Sequence, residues 1–114
     1  MKDYLFLFRG GKPAASKTEA ENKAEMQAWG AYMGDLTKKG QLAGGLPLVS
    51  GGKTVTGNAT IHTPVNSGTE GIVGGYLIVK ADSIEAATEL AKACPHIENQ
   101  GNVEVREIGA MPEM

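Results

Sequence analysis

The sequence is short of the residues that carry most protein chemistry. Its 114 residues include one cysteine, two histidines and one tryptophan, and aromatics amount to 5%. Cys94 has no second cysteine with which to close a disulfide or build a thiolate cluster. Together with His62 and His96 it leaves too few ligands for a closed metal site, so neither a metal nor another cofactor is expected. Arginine is scarce as well, present only as Arg9 and Arg106. The 11 cations are scattered against 13 carboxylates, for a net charge of −2. That distribution makes no basic patch and argues against a nucleic-acid partner. No apolar run approaches the roughly 18 residues of a membrane span, and no signal-peptide pattern opens the chain. The expectation is a soluble, cytoplasmic protein without a membrane partner.

Glycine is what the sequence has in excess: 16 residues, about twice the usual share. The length suits a single domain over 1–114, with a core from about 2 to 108 and a short tail over 109–114. Tyr4-Leu5-Phe6-Leu7-Phe8, stopped by Gly10-Gly11, reads as a strand buried on both faces, because its apolar residues do not alternate with polar ones. A helix is predicted over 18–39. Thr18 and Glu21 have capping-box spacing, as do Ser16 and Glu19, and Met26, Trp29, Met33 and Leu36 form an apolar stripe with Tyr32 beside it. Gly40 supplies the C-terminal stop. The stretch 41–49, broken by Gly44-Gly45 and Pro47, reads as an irregular strand at a sheet edge or a strand end. Two short β-prone stretches around Gly57-Asn58 suggest a hairpin, and 73–81 is a further strand. Asp82 and Glu85 suggest a cap for a second helix carrying Ile84, Ala87, Leu90, Ala91 and Cys94, with Pro95 as its end and a loop over 96–102. Val103 to Ile108 alternates as the last strand. The result is an α+β fold: a ferredoxin-like β-α-β-β-α-β unit with a hairpin insertion, two helices on one face of one sheet.

Few residues stand out as chemically equipped. Cys94 and His96 flank Pro95 and could offer two ligands at most; the ordinary reading packs Cys94 in the core and leaves His96 in a loop. Neither Gly10-Gly11 nor Gly74-Gly75 has the third glycine or the lysine of a nucleotide loop, so close backbone approach or bulging explains them better. Arg9 and Arg106 fall on neighbouring strands of the expected sheet. They either clamp an anion bidentately or pair with Glu104, Glu107 or other local carboxylates, and the local pairing is favoured. His62, beside a polar loop, is the best-placed group for acid–base work, although a lone strand histidine is usually structural. Arg9, His62 and Tyr76, then Trp29 and Arg106, are the candidate ligand-binding residues; no catalytic residue is assigned.

Several segments in the right order resemble the YCII-related, DGPF-domain family. They are Met26 and Trp29, Gly40-Gln41-Leu42 with Gly44-Gly45, Gly74-Gly75-Tyr76-Leu77-Ile78-Val79, Ala91-Lys92-Ala93-Cys94-Pro95 and Val103-Glu104-Val105-Arg106. The resemblance implies a dimeric α+β barrel. It also shows two departures. Thr63-Pro64-Val65-Asn66 stands where the family's Asp-Gly-Pro-Phe loop should fall. The histidine and aspartate proposed as an acid–base pair in one branch are replaced by Trp29 and Lys38, and neither serves as a neutral-pH base.

The reading is therefore a small homodimer that binds a small organic molecule, anionic ones included, in a cleft between sheet and helices. Two alternatives stand beside it. One is a lyase- or isomerase-type enzyme acting on a muconate- or lactone-like acid. The other is an interaction module of a regulatory, sigma-factor-linked system.

Overall fold

In the computed structural model, which describes residues 1–11, 16–49, 51–59, 61–62 and 72–110, alternation along the central strands decides which residues form the core. The elements are β1 (Lys2–Gly10), α1 (Glu19–Lys38), β2 (Leu42–Pro47), β3 (Thr54–Val55), β4 (Ile61–His62), β5 (Val73–Ala81), α2 (Ile84–Lys92), α3 (Pro95–Glu98) and β6 (Gly101–Glu107). Four strands form an antiparallel sheet in the order β2-β5-β1-β6, the ferredoxin-like arrangement. β3 and β4 pair separately as the inserted hairpin.

In register, Phe6 lies between Leu77 of β5 and Val105 of β6, and Tyr4 lies opposite Val79. Tyr4, Phe6, Phe8, Leu77, Val79 and Ala81 are buried on this face, together with Leu36 of α1, Ala87 and Ala91 of α2, and Cys94. The other face carries Leu5, Leu7, Tyr76 and Ile78, all only half-buried. β1 is thus fully buried on one face and partly open on the other, where the unbroken apolar run had suggested burial on both.

α1 forms where its caps allow. Thr18 Oγ1 accepts from the Glu21 amide at 3.1 Å, and Glu21 Oε1 accepts from the Thr18 amide at 3.1 Å. At the far end Gly40 takes φ +69°, the Gln41 amide donates to Leu36 O at 2.8 Å and the Gly40 amide donates to Thr37 O at 3.0 Å. This paired closure satisfies carbonyls that the last turn would otherwise leave bare. The Tyr32 hydroxyl donates to Leu90 O at 2.7 Å and fastens α1 to α2; burial pushes this phenol above its usual range. The stripe is not buried evenly, however. Leu36 is in the core and Trp29, Tyr32 and Met33 pack against it, but Met26 is 76% exposed.

The edge position of β2 follows from its residues. Pro47 ends it, and the register shifts between Leu42 and Gly44. The cap of α2 is Ser83, whose Oγ accepts from Ala86 N at 3.1 Å, rather than the Asp82–Glu85 pair. Pro95 does not simply end a helix. It opens the short α3 within the segment expected to be a loop, since a missing N–H costs nothing in a first helical turn.

Candidate functional site

The middle of α1 faces the β2–β5 pair, and a cleft of about 630 Å³ opens between them. Met26, Trp29, Gly30 and Met33 line it from α1, Gly45 to Pro47 from β2, Gly74 to Leu77 from β5, and Phe8 and His96 complete it. Met26 is therefore rim and not core. Rings meet edge to face across the interior: Phe8 to Trp29 at 5.2 Å, Phe8 to His96 at 5.5 Å, and Trp29 to Tyr32 at 6.0 Å between centroids.

Glycines make the space. A Cβ on Gly30 would meet nothing within 4 Å, and Gly30 lies between Met26 and Met33 on the lining face of α1, so a side chain there would stand in the opening. Gly45 and Gly75 have a different role. A Cβ on Gly75 would come within 3.2 Å of Leu46 O, and one on Gly45 within 2.5 Å of Tyr76 O. Their bare backbones let β2 and β5 lie close enough to form a continuous wall. At Gly75 this is the close approach expected of the Gly74-Gly75 pair.

The lining is almost wholly apolar. Among the described residues that form it, none is Lys, Arg, Asp or Glu. The titratable side chains of the lining are His96 and Tyr76, and Tyr76 borders the cleft from a register position on the opposite face of the sheet. His96 Nε2 lies 2.8 Å from Arg9 O. Cys94, just behind, is buried, and burial pushes its thiol up to about 11, although the His96 backbone N–H partly offsets that. It is a protonated packing residue at neutral pH.

Only some of the sequence-predicted residues are brought together. Trp29 and Tyr76 both border the cleft. Arg9 and Arg106 belong to the open face, as Tyr76 does by register, but do not reach the cleft; they share Glu104, with Arg9 Nε 3.6 Å from Oε1 and Arg106 Nη1 3.3 Å from Oε2. The favoured local pairing of the arginines is what forms. His62 contributes backbone to β4; its side chain lies outside what the structure describes, as do residues 63–71, where the replaced family loop falls. Lys38 is exposed at the last turn of α1 and does not line the cleft. His96 was missed as a lining residue. The available signal was Gly101, whose missing side chain leaves room for the imidazole.

A model of the YCII-related domain matches residues 5–112. No curated protein matches the chain. Among solved structures, the chain is similar to the 5-chloro-2-hydroxyhydroquinone dehydrochlorinase of Burkholderia phenoliruptrix AC1100, determined in complex with 2,5-dihydroxybenzoquinone. The identity is 18%, the TM-score is 0.54, and 93% of each chain is covered. At that identity the likeness establishes the α+β fold. Among the described residues no helix is long and apolar enough to cross a membrane.

Proposed function

The chain belongs to the YCII-related domain family, and on that premise we propose that it binds a small, flat, largely uncharged ring in the cleft between α1 and the β2–β5 edge. The observation that carries this reading is the lining itself: about 630 Å³ walled by Phe8, Trp29, Met33 and bare glycine backbone, with no charged side chain among its described residues. Burying an anion there would leave its charge without a partner, at a cost of several kcal/mol. A flat ring gains apolar and edge-to-face contacts instead. The six-membered ring held by the structurally similar dehydrochlorinase supports this choice of size and shape. An anionic ligand of the muconate kind draws no support from the cleft, because Arg9 and Arg106 do not reach it and share Glu104.

Trp29, the sole tryptophan, makes the test direct. Titration with hydroquinone, a flat ring uncharged at neutral pH, should quench Trp29 emission saturably. Gly30→Leu should weaken binding at least about tenfold, or 1.4 kcal/mol, because its side chain enters the opening. The same substitution replaces a mid-helix glycine and should leave the protein no less stable, with a propensity gain of up to about 1 kcal/mol. Unsaturable quenching, or equal binding by the variant, would remove the cleft from the reading.

The reading includes a homodimer joined through the open face. Leu5, Leu7, Tyr76 and Ile78 form an apolar centre on the two middle strands, flanked by the Lys80–Asp3 and Arg9–Glu104–Arg106 ion pairs. Covering such side chains is worth roughly 1.5–3 kcal/mol each, and a second copy related by a twofold axis presents the same surface in return. Light scattering should give twice the 11.9 kDa of one chain. Leu7→Lys should halve that mass without unfolding the sheet, since the residue faces away from the core cluster. A wild-type mass of one chain would end the dimer reading.

A further inference from the structure

We propose that His96 is the hydrogen-bond acceptor with which the cleft recognises a ring hydroxyl, so that its ligands are phenols, hydroquinones and enols rather than plain hydrocarbons. The inference rests on the cleft-binding reading above and adds to it the group that would select among rings.

The argument starts from the bond to Arg9. A backbone carbonyl only accepts, so the 2.8 Å contact with Arg9 O requires the proton of the neutral imidazole to sit on Nε2. Nδ1 is then a bare lone pair. No hydrogen bond reaches it from any described residue, and it is not among the buried atoms lacking a partner, so it remains open to solvent or ligand.

The ring cannot easily turn away from this arrangement. A Cβ on Gly101 would lie 2.1 Å from Nε2, and one on Gly11, whose φ is +89°, would lie 2.9 Å from Cε1. The Phe8 ring closes a third side at 5.5 Å between centroids. Two glycines and a phenylalanine thus form a slot for the imidazole, and the Arg9 carbonyl sets its tautomer. Trp29 and Met33 offer only apolar surface or a donor N–H, which leaves His96 Nδ1 as the acceptor the α1 side of the cleft lacks.

The test compares hydroquinone with 1,4-dimethoxybenzene, which lacks a donor, in wild type and in His96→Gln, read by Trp29 quenching. Glutamine keeps an N–H for the Arg9 carbonyl but removes the Nδ1 lone pair. Hydroquinone should bind the variant roughly tenfold more weakly, about the effect of one hydrogen bond withheld, while dimethoxybenzene should bind both proteins alike. Equal losses for both rings, or none, would overturn the role of His96 and leave the cleft reading standing. If no ring quenches Trp29 in wild type, both fall together. A second measurement needs no variant: ring ¹⁵N shifts of wild-type His96 should show Nε2 protonated and Nδ1 bare, and the Nδ1 signal should move on adding hydroquinone. A protonated Nδ1, or one that stays unmoved at saturation, would overturn the proposal.

Discussion

Phe6→Ala should lower the unfolding free energy by about 3–5 kcal/mol, the range for truncating a buried aromatic. The side chain is 0% exposed, sits between Leu77 and Val105 in register, and faces the cluster formed by Leu36, Ala87 and Ala91. Small alanines on α2 leave little capacity to fill the void by repacking, which places the expectation toward the upper end. Set against a typical total of about 5–15 kcal/mol, the loss is a large fraction of the stability. Denaturant titration is the measurement, with the midpoint falling and the slope unchanged. Leu5→Ala, one residue back and only half-buried, is the control, with both variants made in the Leu7→Lys background so that no loss at the dimer face enters the comparison. Should the two cost the same, the division of β1 into a core face and an open face would be wrong.

The second large effect is expected at Gly45. Its φ of +153° is one that side-chain-bearing residues rarely adopt, and a Cβ there would come within 2.5 Å of Tyr76 O and 2.9 Å of Leu77 Cα. These are backbone atoms of the neighbouring strand, so the clash is relieved only by moving β2 away from β5. Gly45→Ala should cost about 1–3 kcal/mol in backbone strain, with a similar amount for the forced displacement. The damage should be local at first. Amide exchange should quicken along Leu42–Pro47, while the β1–β6 ladder keeps its protection. Because Gly45 also lines the cleft, ring binding should weaken in the same variant. Unchanged exchange in β2 would show that the strand edge tolerates a side chain there.

Much of this fold was legible because its signals are local. The run from Tyr4 to Phe8, the Thr18–Glu21 cap, the Gly40 stop and the proline at the end of β2 each act within a few residues of where they stand. They yielded the element order and, through the handedness of the connections, the ferredoxin-like sheet. The errors arose where a local signal has two meanings. Proline both stops one helix and starts the next, which hid α3. Asp82 and Ser83 are both good cap residues, and the helix starts on the second, whose Oγ takes the Ala86 amide. A stripe at helical spacing states which side of α1 faces inward but not how far along the core extends, so Met26 was placed too deep. The site was harder still. The contact of His96 with Arg9 joins residues on separate elements, and the cleft is made largely by side chains that are absent. Absence has no motif.

The sheet order has a consequence for how the chain reaches this state. β6 completes the sheet beside β1, with Tyr4 opposite Glu107 and the Ile108 amide on Asp3 O at 2.9 Å. Every ladder that β1 makes therefore waits for residues far along the chain, Val73 at the nearest. Closing a loop of about 100 residues, rather than one of about five, costs roughly 2–3 kcal/mol more in chain entropy, and that cost falls before the contacts form to offset it. High contact order of this kind slows folding. Joining residue 108 to residue 3 by a short linker and opening the chain at the β3–β4 turn would make β6–β1 a simple hairpin. The native contacts would be the same, but the earliest pairing would be local.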